Sequence, residues 1–455
     1  MNIIIVGCGR VGYILAKHLS EQNHFVTLID KRAEKLAPVL QTLDVQAVIG
    51  NGTTRLSLSE AGVDKANLLI AVTSEDEVNM ISSLIAKKVN PKCLTIARIR
   101  KPEYLPEVNY LKSAIGISMS INPEYAAAKE IYNLISIPNA LDVDSFAKGK
   151  VELLKVKVDE NSCLNGMKVS EVSKKFNRRV LICIHVRGDE VTIPNGNTVL
   201  LAHDIISVII PKYFIPEFYN TVGNYSLKHI KNVLIAGGGT TAFYLAEMLT
   251  ESGIRVKIIE KDKDRCKELC SLLDKTEIIN GDAENRDILL ENGLEHTDAF
   301  VALTTIDEEN LFLSLYANKV APDCKKITRV QKLKKDDIIQ SLPVGNLIVP
   351  RELTVEYILQ HIRALTGAER GSNVEALYNL MDGRVEALEF SLTEESRVLN
   401  IPLSELKIKP SILISLIVRG NKLITPQGSD MLKLNDSVII VTTLKGLNNI
   451  TDITE

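Results

Sequence analysis

The chain repeats itself, and that repeat limits its possible folds more than any other feature. Gly7-Cys8-Gly9-Arg10-Val11-Gly12 corresponds to Gly237-Gly238-Gly239-Thr240-Thr241-Ala242, and Asp30 corresponds to Glu260 at the same offset. After a step of one residue, Gly50-Asn51-Gly52 pairs with Gly281-Asp282-Ala283, Ala71-Val72-Thr73 with Ala302-Leu303-Thr304, Asn79 with Asn310 and Arg98 with Arg329. A second kind of segment also recurs: Val186-Arg187-Gly188 as Val418-Arg419-Gly420, Pro194 as Pro426, Gly196 as Gly428 and Asp204 as Asp436. The order is therefore A-B-A′-B′, and duplication is its simplest origin.

Each A unit opens as strand, glycine-rich turn, helix and strand. Ile3-Ile4-Ile5-Val6 is a short apolar run suited to a parallel strand buried on both faces. The helix after it places Val11, Leu15, His18 and Leu19 on one side, and Val26-Thr27-Leu28-Ile29 forms the next strand, ending at Asp30. Val45 to Ile49, Leu68 to Val72 and Leu94 to Ala97 continue an alternation that predicts a parallel sheet covered by helices. Each B unit is instead rich in β-forming runs (Val151 to Val158, Val180 to Val186, Val191 to Ile193, Ile205 to Ile210) broken by Gly, Pro and Asn. Such a unit reads as a compact α+β or mainly β module whose size suits one small core. Between A and B, Asn122-Pro123-Glu124 combines a capping residue, a first-turn proline and an acid at the positive end of the helix dipole, so Tyr125 to Ile135 reads as a connecting helix. Val355, Ile358, Leu359 and Ile362 repeat that helical spacing in the second half.

At 455 residues the chain exceeds one ordinary core, and its net charge of −3 gives no electrostatic footprint for nucleic acid. Apolar runs such as Ile412 to Val418 fall short of the ~20 residues of a membrane-spanning helix. A strand pattern from Asn2 leaves no room for a secretory signal, so a cytoplasmic protein is expected. Seven cysteines without a CxxC pair suit a reducing compartment, as buried free thiols.

The first glycine motif follows a strand, opens a helix and has an acid eighteen positions after Gly12, the context of a dinucleotide site. Gly7 permits the tight turn, Gly9 lets the backbone approach a pyrophosphate and Gly12 allows helix and sheet to pack closely. Asp30 is placed to accept from ribose hydroxyls and to repel a 2′-phosphate, which favours NAD over NADP, although Lys31 and Arg32 temper this. The second motif keeps Gly237, Gly239 and Glu260, but Ala242 stands for the third glycine and Thr240 for Arg10. A threonine cannot compensate phosphate charge as arginine does, so the sites should differ in ligand or affinity. Asn51, Thr73, Arg98, Asp282, Thr304 and Arg329 fall at or beyond strand ends, where open α/β sheets bind ligands; for the arginines a surface ion pair is the competing reading. No nucleophile, metal spacing or acid/base pair accompanies either motif, and His185 reads as a packed histidine. The nucleotide therefore reads as a signal; a soluble NAD-dependent oxidoreductase is the alternative.

Taken together, these segments resemble the regulators of Trk-type potassium uptake, the TrkA family, with two tandem RCK (regulator of K⁺ conductance) halves. The resemblance spans essentially the whole chain. Its marks beyond the glycine motifs are Ile121-Asn122-Pro123-Glu124, Ile137-Pro138-Asn139-Ala140, the Gly196-Asn197-Thr198 turn and Pro350-Arg351-Glu352-Leu353-Thr354-Val355. It implies an α/β fold with two Rossmann-like parallel-sheet domains, each followed by a smaller α+β RCK-C domain. The expected boundaries are 1–123 and 230–349 for the nucleotide-binding domains, 124–141 and 350–368 for connecting helices, and 142–225 and 369–455 for the RCK-C domains. It further implies binding of NAD or NADH, with ATP or ADP as other candidates. The implied assembly is a homotetrameric ring docked on a membrane potassium-translocating subunit of the TrkH or TrkG kind, at the cytoplasmic face of the inner membrane. Carried over by position, site one comprises Gly7, Cys8, Gly9, Arg10, Val11, Gly12, Asp30, Asn51, Gly52, Thr73 and Arg98. Site two comprises Gly237, Gly239, Thr240, Thr241, Glu260, Asp282, Thr304 and Arg329. No catalytic residue and no metal is implied.

Overall fold

Continuous apolar runs become central strands because both faces are covered. In β1 (Asn2–Val6), Ile3 to Val6 are all buried, and the same holds for β4 (Leu68–Ala71) beside it. The computed structural model describes residues 1–455 except 105, 138–141, 147–149, 223–229, 332–338, 340, 370–373, 382, 394–395, 421, 448 and 455. The Ile137-Pro138-Asn139-Ala140 mark thus lies largely outside the described residues.

The first A unit adds α1 (Arg10–Glu21), β2 (Phe25–Asp30), α2 (Ala33–Thr42), β3 (Gln46–Ile49), α3 (Arg55–Glu60), α4 (Asp76–Val89), β5 (Leu94–Arg98), α5 (Val108–Ile115) and β6 (Met119–Ile121). The sheet order is β3-β2-β1-β4-β5-β6, parallel throughout. The chain reverses its winding between β1 and β4, and a crevice opens there at the carboxyl ends of the strands. Helix α1 buries Val11, Leu15, Ala16 and Leu19. His18, expected on that face, is exposed and lies near Glu21 instead; it is at the edge of the stripe, where a polar ring keeps its water.

After α6 (Pro123–Ser136), β7 (Asp142–Phe146), β8 (Val151–Lys157), α7 (Val169–Lys175), β9 (Leu181–Arg187), β10 (Glu190–Thr192), β11 (Ile205–Pro211) and α8 (Ile215–Val222) build the first B unit. The second A unit has β12 (Asn232–Ala236), α9 (Thr240–Glu251), β13 (Arg255–Glu260), α10 (Lys263–Leu272), β14 (Thr276–Asn280), α11 (Arg286–Glu291), β15 (Ala299–Ala302), α12 (Asp307–Val320), β16 (Lys325–Arg329) and β17 (Asn346–Ile348). Its order, β14-β13-β12-β15-β16-β17, matches the first. Then come α13 (Pro350–Glu369), β18 (Val374–Leu380), β19 (Val385–Ser391), β20 (Ile412–Arg419), β21 (Lys422–Ile424) and β22 (Asp436–Thr442). Asn122 caps α6 by accepting from the Tyr125 N–H at 2.9 Å, and Val355, Ile358, Leu359 and Ile362 of α13 are buried as their spacing predicts. No described helix is long and apolar enough to cross a membrane.

Contacts divide the chain into two compact units that pair like with like. Residues 1–132 and 230–359 form one, residues 133–229 and 360–455 the other. In the second unit the antiparallel sheets β10-β9-β11-β8-β7 and β18-β19-β22-β20-β21 each have a private core on one face. Their other faces share a core in which Phe146, Leu153, Ile184 and Ile209 meet Leu380, Val385, Leu416 and Ile439. One small core per B module is thus corrected to two private cores and a common one. The reason is the burial pattern: β9 and β11 are apolar on both faces, and each such side chain gains about 1.5–3 kcal/mol from full burial. The Phe146 and Tyr378 rings lie 4.3 Å apart across this interface.

The residues that repeat in the B units form a fork. Arg187 donates from Nε and Nη2 to the Asp204 carboxylate at 2.8 Å each, and Arg419 does the same to Asp436. His185 adds a contact from Nε2 to Asp204 at 2.9 Å, so its burial is that of a packed, partnered ring. Burial by itself would raise the Asp204 pKa; hydrogen bonds from Arg187, the Leu201 N–H and His185 overcome it and hold the carboxyl well below the ordinary range.

Candidate functional site

Site one is a cavity of about 520 Å³ over the crevice between β1 and β4. Gly7 ends β1 at φ +104° and packs against Thr73, so a Cβ there would meet the Thr73 backbone at 3.0 Å. A Cβ on Gly12 would lie 2.0 Å from the Gly7 carbonyl oxygen; only glycine lets α1 start this close to the sheet. No side chain caps α1, so its first-turn N–H groups face the cavity mouth as anion donors.

The Asp30 carboxylate clamps the turn. Its Oδ2 accepts from the Cys8 N–H at 2.8 Å and its Oδ1 from the Arg32 N–H at 3.0 Å. Glu260 repeats the arrangement, with Oε2 accepting from the Gly238 N–H at 2.7 Å and Oε1 from the Asp262 N–H at 2.8 Å. The acid at the end of the second strand therefore fixes the glycine-rich turn as well as lining the cavity.

Of the residues expected in site one, Gly7, Gly9, Arg10, Val11, Asp30, Asn51, Gly52, Thr73 and Arg98 line the cavity. Cys8 and Gly12 stand behind it as packing and turn positions. Asn51 spends its carboxamide oxygen on a local turn, accepting from Thr53 N–H and Oγ1. Arg10 also reaches across to the second A unit, donating from Nη1 to the Gln331 carbonyl at 3.2 Å. Arg98 donates to the Thr73 carbonyl; burial, reinforced by nearby Arg100 and opposed by Glu124 and Asp76, pushes its guanidinium down to about 10. Its Nε is buried without a partner, so the surface-ion-pair reading does not describe it.

Sequence reading passed over Asn79 as a site residue, although it repeats as Asn310. Fully buried, it accepts from the Thr73 N–H and Oγ1 at 2.8 Å each and donates to the Thr73 and Arg98 carbonyls at 3.3 and 2.9 Å. Asn310 does the same for Thr304 and Arg329, apart from the hydroxyl contact. Lys35, Ser74 and Glu75 also line site one.

Site two is smaller, about 360 Å³, and Gly237, Gly239, Glu260, Asp282, Thr304 and Arg329 line it. Thr240 and Thr241 lie outside its lining; Thr241 is buried in α9 with its hydroxyl unpartnered. Arg265, the counterpart of Lys35, donates from Nε to the Gly238 carbonyl at 2.8 Å and takes up room beside the turn. The two A units also meet near α6, where Tyr244 OH donates to the Arg100 carbonyl at 3.0 Å and accepts from Asn122 Nδ2 at 3.1 Å.

Comparison with known proteins agrees with this architecture. The TrkA-N domain model matches residues 3–123 and 233–350, and the TrkA-C domain model residues 153–223 and 387–454. A Trk system potassium uptake protein TrkA homolog of Methanosarcina mazei is 32% identical over 447 residues, covering 97% of each chain. The TrkA protein of Haemophilus influenzae is 30% identical over 448 residues, 97% of this chain and 95% of its own. Among solved structures, the GsuK channel bound to NAD has a TM-score of 0.65 at 14% identity, covering 97% of this chain and 76% of that one. The GsuK RCK domain has a TM-score of 0.64 at 15% identity, with 97% and 92% covered; these two likenesses bear on the fold. With both domain models matched twice and near-full-length relatives of that name, the chain belongs to the TrkA family of Trk system potassium uptake proteins.

Proposed function

We propose that this chain is the nucleotide-sensing regulatory subunit of a potassium uptake system. The observation that carries the reading is site one: a glycine-rich turn opening an uncapped helix, a carboxylate at the end of β2 and Arg98 with a free Nε, all on one cavity at the switch point. These groups suit a dinucleotide or adenine nucleotide, with pyrophosphate at the α1 N-terminus and ribose at Asp30. NAD(H) is the first ligand to try and ATP or ADP the next. In this reading residues 1–123 and 230–349 are the sensing domains, and 142–225 and 369–455 serve assembly or regulation.

The protein has no enzymatic role in this reading. The ligand acts by binding one arrangement of a homotetrameric ring more tightly than another, and the ring transmits that preference to a membrane potassium-translocating subunit at the cytoplasmic face. A ligand bound equally by both arrangements would shift nothing. The test is potassium flux through the partner subunit in vesicles, with this chain added and NADH, NAD⁺, ATP or ADP varied. Flux that depends on the chain and changes with nucleotide supports the proposal; flux indifferent to every nucleotide at saturation overturns it. Consumption of NADH with any small substrate would favour the oxidoreductase alternative.

A further inference from the structure

The two cavities share a scaffold and differ in charge. In site one Arg10, Lys31, Arg32, Lys35 and Arg98 outnumber Asp30 and Glu75. In site two Glu260, Asp262, Asp282, Glu284 and Glu309 outnumber Lys261, Arg265 and Arg329, because Asp262, Asp282, Glu284 and Glu309 stand where the first unit has Arg32, Asn51, Thr53 and Val78, and Thr240 stands for Arg10. The acids are arranged by depth. Asp282 and Glu284 are exposed at the mouth and Glu309 is half-buried. The Glu284 carboxyl is raised above its ordinary value, first by a hydrogen bond with Glu309 and by that group's charge. The base of the cavity has the opposite character. Arg329 is 8% exposed and lines the cavity; it gives Nη2 to the Thr304 carbonyl at 3.2 Å and keeps Nε buried and unpartnered.

We infer that site two selects a nucleoside monophosphate such as AMP and rejects nucleoside di- and triphosphates, while site one prefers the more highly charged ligands. The inference rests on the reading of the glycine-rich cavities as nucleotide sites. One phosphate finds Arg329 and the uncapped N-terminus of α9, which supply donors for a single anionic group. Each further phosphate adds charge to a cavity rimmed by Asp282, Glu284 and Glu309, without the Arg10 that site one offers. The same carboxylates can accept from an amino group on the base. The smaller volume of site two points the same way.

The experiment is equilibrium binding of AMP, ADP and ATP to the full-length chain, wild type and with Glu284→Gln and Glu309→Gln combined. In the wild type, ATP occupies one site per chain, and AMP binds a second site from which ATP does not displace it. The double substitution raises ATP affinity at the second site by at least about tenfold, the size of one close charge interaction, and changes AMP affinity much less. Two equivalent ATP sites in the wild type, an unchanged second site in the double variant, or ATP binding without any AMP binding would each overturn the inference and leave site one standing. Failure of every nucleotide to bind would instead remove the nucleotide reading itself.

Discussion

Replacing Asp30 separates the clamp seen in the structure from the ribose contact proposed for it. The carboxylate is 10% exposed and accepts from the buried Cys8 N–H and from the Arg32 N–H. In Asp30→Ala, the Arg32 N–H turns to water, but the Cys8 N–H is left without an acceptor in the glycine-rich turn. A hydrogen bond to a charged group is worth about 1.5–3 kcal/mol, and an orphaned buried donor costs about as much. We therefore expect a loss of about 2–3 kcal/mol in the first unit, which at about 2 °C per kcal/mol for a body of this size is a fall of roughly 4–6 °C. Asp30→Asn keeps one acceptor for Cys8 and should cost about 1 kcal/mol, so it stays folded. Its affinity for NADH should still fall about 10- to 100-fold through loss of the charged ribose acceptor. Thermal unfolding of the ligand-free chain, with calorimetric titration of NADH, reads both effects. An Asp30→Ala protein that melts with the wild type refutes the clamp. Unchanged NADH affinity in Asp30→Asn refutes the ribose contact.

Gly12→Ala sets a methyl 2.0 Å from the Gly7 oxygen and should abolish NADH binding at site one; Ala242→Gly in the second unit should cost only about 1 kcal/mol of helix propensity, both checked by titration and melting. Asn79→Ala strands the Thr73 N–H and the Arg98 carbonyl, at about 1–3 kcal/mol each, so urea unfolding should shift well beyond 1 kcal/mol and NADH affinity should fall as Thr73 and Arg98 lose their tie. Because the folded Asp204 carboxyl is held below its unfolded value, the stability it contributes is complete above about pH 4 and is lost as pH falls further, toward the folded pKa. Asp204→Asn should lower stability at pH 7 and flatten that acid limb; an unaltered acid profile would count against the fork.

The sequence alone determined the local elements and the nucleotide reading of site one. Short, β-branched apolar runs that end at a glycine, such as Ile3 to Val6 before Gly7, read as strands covered on both faces. The spacing of Gly7, Gly9, Gly12 and Asp30 describes a turn whose sterics exclude other residues, and the cavity gathers most of the residues it named. Asn79 escaped because a lone asparagine in a helix is uninformative until its carboxamide is seen spanning two strand ends, although its repeat as Asn310 was visible. The reversed charge of site two was likewise dispersed, since Asp262, Asp282, Glu284 and Glu309 meet only where three βα connections converge. Tertiary structure alone decided that the A units pair with each other and the B units with each other. That choice depends on apolar faces far apart along the chain: β9 and β11 bury both sides, and the second side is completed by residues of β18, β19, β20 and β22. A linear order of A-B-A′-B′ contains no statement of which faces meet.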